Sequence, residues 1–259
     1  MRTDGPSRTA LGVAARRLAL QRPCSATGDP DAEDRLARHL IDGAPSPMGS
    51  LRLSDWVAAR TTFFDAAVVA ALAGGVSQVV LVGAGYDGRA LRFRTPGVKF
   101  FELDHPLTQR DKRERLAAIG ARTEDVGFAT ADFIVDDIGV ALEAAGHAAA
   151  RPTLFVCEGV LRYLTEDTIQ SLLRRLAARA APGSVLAVSI TTRDPGAETA
   201  ALREQREVLE ARLAAGGEAV LTVPLRAIAL GWLSAAGWTV PAEAVHDAGE
   251  GRLLVRATR

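Results

Sequence analysis

The sequence predicts a doubly wound α/β domain, with an antiparallel C-terminal hairpin and a helical cover ahead of the sheet. Three observations predict it. Short apolar runs of strand length recur at 78–83, 99–104, 127–132, 153–158 and 184–190. Helical patterns separate most of them, notably at 106–119 and 166–181. The runs are apolar on both faces, as in parallel strands covered by helices on each side. At 259 residues, 48% of them hydrophobic, the chain can bury a sizeable core.

Residues 1–75 read as the helical cover of a single domain. "TALGVAARRLAL" and "DAEDRLARHLIDG" are short helical patterns separated by the breaker-rich "QRPCSATGDP". The second opens with acids, which suit the positive end of a helix dipole, and is expected to stop at Gly43. After the turn-rich "APSPMGS", Ser54 is the expected N-cap of a long helix through "DWVAARTTFFDAAVVAAL". Residues 76–193 form the alternating core. A charged helical stretch within 194–225 is placed to cap a pocket. In 226–259 a closing helix precedes two strand-like runs, "WTVPAEAVHD" and "GRLLVRATR", joined through "AGEG" as a hairpin at the sheet edge.

The totals narrow the partners. With 31 basic and 31 acidic side chains, nothing suggests an electrostatic surface for nucleic acid or anionic lipid. Cys24 and Cys157 lie far apart without C-x-x-C spacing, so neither a zinc site nor a disulfide framework is expected. Arg16 and Arg17 interrupt the first apolar stretch before a signal-peptide core could form. Uninterrupted apolar runs fall short of the ~18 residues of a membrane span. The expectation is a cytoplasmic protein of open oligomeric state.

The first chemical signal is "QVVLVGAGYDGRALRF", where a strand breaks into Gly83, Gly85 and Gly88 as G-x-G-x-x-G. In open parallel sheets ligands bind beyond the strands' carboxyl ends, and glycines let the backbone turn tightly against them. The next strand ends "FELDHP". Glu102 and Asp104, two apart, share one face, at about the 20-residue offset where an acid meets a ribose diol. Turn and acid together point to a ribose-bearing cofactor. NAD would place its pyrophosphate at the following helix N-terminus, but that turn carries Asp87, which suits a cationic ligand or simply caps the helix. No Y-x-x-x-K pair for hydride transfer appears.

Arg60 is the second signal. It falls on the apolar stripe of Trp56, Phe63, Phe64, Ala67 and Ala71, where a guanidinium needs an anionic partner. One solution is a salt bridge with Asp65 or Glu158, and the other is a bidentate clamp on a ligand carboxylate. A ligand with a ribose, a cation and a carboxylate is S-adenosyl-L-methionine.

The segments "AARTTFFD", "VVLVGAGYDGRALRF", "FFELDHP", "ADF" and "LFVCEGVLRYL" together resemble the leucine carboxyl methyltransferase-like group of class I, Rossmann-like methyltransferases. The likeness runs along most of the chain to about 190. It implies that Arg60 holds the methionine carboxylate, that Gly83 and Gly85 form the cofactor turn with Asp87, and that Asp104, with Glu102 as the other candidate, binds the ribose. It further implies Asp132 and Phe133 along the adenine, Glu158 near the cofactor's amino group, and Tyr163 at the methyl-transfer pocket as the catalytic candidate. Tyr86-Asp87-Gly88-Arg89 departs from the family's usual Leu-Asp-Thr-Arg, and 194–225 matches nothing that carries over.

Methyl transfer from a sulfonium asks mainly for alignment and a dry pocket. A carboxylate acceptor is ionised at neutral pH and needs no base, whereas a phenol gains from one. His105 follows the cofactor acid, His39 and His147 read as residues of surface helices, and His246 lies in the hairpin, so none is placed as a base. The expected activity is O-methylation of a carboxylate, or a hydroxyl, on a small natural-product-like metabolite, with a peptide or carrier-bound acid as another form of acceptor. An NAD(P)-dependent oxidoreductase is the competing enzyme class, and a cofactor-binding protein without turnover the non-enzymatic one.

Overall fold

The computed structural model describes residues 8–42, 51–193 and 219–259, with isolated positions between 203 and 214. Five parallel strands, β1 (Gln78–Val82), β2 (Lys99–Asp104), β3 (Val126–Thr130), β4 (Thr153–Cys157) and β5 (Val185–Thr191), join β6 (Val245–Asp247) and β7 (Arg252–Thr258) in one sheet. The order is β3-β2-β1-β4-β5-β7-β6, with β7 antiparallel to both neighbours. The chain winds outward from β1 to β3 and then returns to β4 on β1's other side. This reversal opens a crevice above the carboxyl ends of β1 and β4.

Strand periodicity sorts the core into two layers. Val80, Val82, Phe101, Leu103 and Phe155 face α6 (Ile138–Ala144), α7 (Glu166–Ala178) and α8 (Arg226–Ala235). Val79, Leu81, Phe100, Leu154 and Val156 face α2 (Ala32–Ile41) and α3 (Leu51–Ala73). Three further helices are α1 (Arg8–Arg17), which packs on α2 and α3, the single-turn α4 (Arg89–Arg92), and α5 (Pro106–Ala118).

Some expectations need correction. Ser54 does not cap α3, which already begins at Leu51, because the helix-favouring Leu-Arg-Leu carries it one turn further back. Gly43 lies outside the described residues, as does most of the 194–225 cap. Ser54–Ala73 is long and apolar enough, by length and composition, to cross a membrane. Counting unbroken apolar runs missed this, because isolated charges divide the stretch without making it polar. In the fold this helix buries Phe64, Ala67 and Val68 against the sheet and pairs Arg60 and Asp65 inside the protein. The C-terminal hairpin is present. Thr239 bridges Thr258, Pro241 breaks the run, and pairing resumes at Val245.

Candidate active site

The turn after β1 ends at the crevice. Gly83 and Gly85 have φ of 64° and 48°, in the left-handed region that favours glycine. Their surroundings differ. A Cβ on Gly83 would stand 2.4 Å from Val160 Cγ2, so that glycine admits a protein side chain, whereas Gly85 faces open space on its Cβ side. A Cβ on Gly88 would strike Glu33, so the third glycine lets α2 close on α4.

Asp104 and Glu102 part company in the structure. Asp104, partly buried at the end of β2, accepts hydrogen bonds from the backbone amides of Gly85 and His105. Burial pushes its carboxyl upward, and the amides oppose that shift. Glu102 is 2% exposed and paired with Lys112 at 2.7 Å. The same ammonium donates to the Asp87 carbonyl, tying β2, α5 and the glycine turn together.

Beneath the crevice lies a buried ion cluster. Glu158, just after β4, takes Arg17 Nη2 at 2.7 Å and Arg60 Nε at 2.8 Å on Oε1, and Arg89 Nη1 at 2.6 Å on Oε2. Burial alone would raise its carboxyl, but the three guanidinium groups reverse this and hold it well below the carboxylate range. Arg89 also pairs with Asp87 and Asp65. Asp65 takes Arg92 at 2.8 Å, and Glu33 takes Arg17, Arg22 and Arg92. Of the two acids weighed for Arg60, the structure selects Glu158. Asp87 is turned inward, with both oxygens on Arg89.

Arg60 differs from its neighbours. Burial pushes its pKa down, Glu158 offsets this in part, and Arg17 adds repulsion. Arg17 and Arg89, with more carboxylates around them, are shifted upward despite burial. Only Nε of Arg60 hydrogen-bonds to Glu158, and Nη1 lies 3.2 Å from where a Cβ on Gly159 would stand. Gly159 has φ 72° and donates to Ser189 Oγ at 2.8 Å. A guanidinium edge therefore faces a side-chain-free stretch of backbone at the sheet's carboxyl end.

The remaining candidates lie along the same rim. Asp132 Oδ1 accepts from Ile134 N at 2.9 Å, and its Oδ2 is 3.6 Å from His105 Nε2. Phe133 packs half-buried against the α7-side core. Tyr163, half-buried in the 3-10 turn Leu161–Tyr163, lies within electrostatic reach of Arg60. His147 is not on a surface helix. It is buried beyond α6, with Nε2 3.0 Å from Thr153 Oγ1, and desolvation, with Arg179 nearby, lowers its pKa to about 4. Sequence reasoning missed Arg17, Arg89, Arg92 and Glu33 as cluster members, and offered Asp65 to Arg60 where the structure gives it to Arg89 and Arg92. Arg17 follows the buried Ala14 by three positions and so shares its helix face.

The leucine carboxyl methyltransferase family matches residues 11–177. A Rhodococcus jostii protein provisionally named an S-adenosyl-L-methionine-dependent methyltransferase is 38% identical over 210 residues, 73% of this chain and 69% of its own. A Mycobacteroides abscessus protein with the same provisional name is 34% identical over 272 residues, 95% and 88% of the two chains. Among solved structures, a provisionally named methyltransferase from Thermobifida fusca aligns with TM-score 0.56 at 15% identity, covering 93% of this chain and 97% of that one. These likenesses do not favour the oxidoreductase alternative. The chain belongs to the leucine carboxyl methyltransferase family and is an S-adenosyl-L-methionine-dependent methyltransferase.

Proposed function

We propose that the enzyme O-methylates a carboxylate, or a hydroxyl, of a small natural-product-like metabolite in the cytoplasm. The observation that carries the cofactor half of this reading is the under-compensated edge of Arg60 beside Gly159, at the carboxyl end of the sheet, and the acceptor half rests on where the histidines lie. The site residues suit the cofactor: Arg60 receives its carboxylate, Gly85 leaves the backbone open to close approach, and Asp104 accepts from the ribose hydroxyls. Asp132 and Phe133 flank the adenine, and Glu158 lies toward the amino group. S-adenosyl-L-methionine supplies a methyl group on a cationic sulfur, which keeps the C–S bonding pair as the acceptor oxygen bonds to carbon.

The chain's own contribution is alignment and exclusion of water, with Tyr163 on the wall of the transfer pocket. The histidines are committed elsewhere. His105 Nδ1 caps α5, His147 is buried at Thr153, and His39 and His246 are exposed on α2 and β6. This supports an acceptor that is ionised before it binds. Incubation with methyl-labelled cofactor and a panel of carboxylic acids and phenols tests it. A methyl ester releases labelled methanol in mild alkali, whereas an ether retains it. Alkali-stable label on every product would overturn the carboxylate reading, and label on nitrogen or carbon alone would overturn O-methylation.

A further inference from the structure

Among the described residues, Arg162 is a half-buried cation without a carboxylate partner. Its backbone is fixed, because the Arg162 carbonyl accepts from Leu221 N at 2.8 Å and Thr222 N at 3.3 Å. Its side chain is not. Nε is buried without a hydrogen-bond partner, and among the described residues no carboxylate pairs with the guanidinium. The guanidinium carbon lies 5.6 Å from the centroid of the Tyr163 ring. Arg22, Arg89, Arg94 and Arg179 also carry a buried guanidinium nitrogen without a hydrogen bond, but each of these side chains holds a carboxylate, as Arg162 does not among the described residues. Desolvating such a group without a partner is unfavourable, and a ligand anion relieves it.

The position indicates which ligand. Val160, two residues earlier, fills the space beside Gly83 in the cofactor turn, and Glu158 begins the same segment. Thr222 Oγ1 also bonds the Leu164 carbonyl at 2.6 Å, so the 219–225 segment runs alongside this turn. Leu221, next to Arg162, leaves 57% of its surface exposed. A cation beside an aromatic ring thus sits on a turn whose backbone is bonded to the segment that bears the exposed Leu221. Arg256 also has a buried, unpartnered Nε, but it sits over Phe63 on β7, opposite Ala187 toward the amino end of β5.

We propose that Arg162 receives an anionic group of the methyl acceptor while Leu221 and Tyr163 take up an apolar body, so that the acceptor is an amphipathic acid. This rests on the reading of 158–164 as a wall of the acceptor pocket.

The test titrates protein saturated with S-adenosylhomocysteine with 8-anilinonaphthalene-1-sulfonate, and in parallel with N-phenyl-1-naphthylamine, the same aromatic body without the anion. Arg162→Met should weaken sulfonate binding at least tenfold and leave the neutral probe unchanged, and Arg162→Lys should recover part of the loss. Equal sulfonate affinity in parent and Arg162→Met overturns the proposal, as does failure of the parent to bind the sulfonate. Loss of both probes with a lower melting temperature assigns Arg162 to the fold and also overturns it. Failure of the parent to bind S-adenosylhomocysteine would defeat the cofactor reading instead. The same titration without cofactor then decides Arg162 separately.

Discussion

Arg60 donates to Glu158 through Nε alone, at 2.8 Å, while Glu158 keeps two further guanidinium partners in Arg17 and Arg89. The pair is therefore unequal, since the carboxylate survives loss of Arg60 far better than Arg60 survives loss of the carboxylate. Arg60→Met should weaken S-adenosylhomocysteine binding by about 2–4 kcal/mol, as for loss of a partly buried charge-assisted contact. Adenosine, which lacks the carboxylate, should bind parent and variant alike in the same calorimeter. A melting temperature several degrees lower with unchanged cofactor affinity would return Arg60 to a purely structural role.

Replacing the shared carboxylate should act on the fold. Glu158→Gln leaves Arg17, Arg60 and Arg89 facing a neutral amide, and breaking a buried pair in this way costs about 3–5 kcal/mol. The pH dependence has a definite sign. The folded-state pKa of Glu158 lies below its unfolded value, so its stabilisation is complete above roughly pH 4.5 and is lost as pH falls below that. Denaturant melts between pH 6 and 3 should therefore show a smaller acid loss in Glu158→Gln than in the parent. Parallel curves would contradict the shift.

Glu102 and Asp104 should separate by readout. If Asp104 accepts from the ribose hydroxyls as proposed, Asp104→Ala should weaken S-adenosylhomocysteine binding by about 1–3 kcal/mol. Glu102→Gln leaves the buried Lys112 with the Asp87 carbonyl but no carboxylate, and should lower stability with little effect on affinity. Calorimetry and thermal melts on both variants check this, and an affinity loss confined to Glu102→Gln would reverse the two roles.

The two turn glycines should separate in the same way. Gly83→Ala drives a methyl into Val160, on top of about 1–2 kcal/mol for a left-handed alanine, and should mainly lower the melting temperature. Gly83→Ala combined with Val160→Ala should recover part of that loss. Gly85→Ala meets no protein atom closer than 3.9 Å, so its backbone strain should be joined by a marked drop in cofactor affinity. Equal affinity losses in both single variants would remove the distinction.

The core was legible because β1 to β5 announce themselves as apolar runs, and helices of 4 to 13 residues separate them where turn residues allow. Glycine-to-acid spacing also placed the Gly83–Gly85 turn and Asp104 at the ends of two strands, which the structure sets side by side. The ion cluster was not legible. Which carboxylate meets Arg60 depends on how α3 lies against the end of β4, and both Asp65 and Glu158 satisfied the sequence. His147 misled for a similar reason: its polarity suggested a surface, but Thr153 and the Phe101 and Phe155 rings enclose it. Ser54 misled because capping preference is a weak term beside the helix propensity of the residues before it.

The contact between Arg17 and Glu158 spans 141 positions of chain. During synthesis, at about 5–20 residues per second, Arg17 leaves the ribosome on the order of ten seconds before its partner exists. In that interval Arg17 and Arg22 can reach Glu33, but the carboxylate that Arg17, Arg60 and Arg89 share has not been made. The cluster therefore closes only once β4 docks beside β1, so in a nascent chain stalled before residue 158 Arg17, Arg60 and Arg89 lack the carboxylate they share. Closing so long a loop is also slow relative to local contacts.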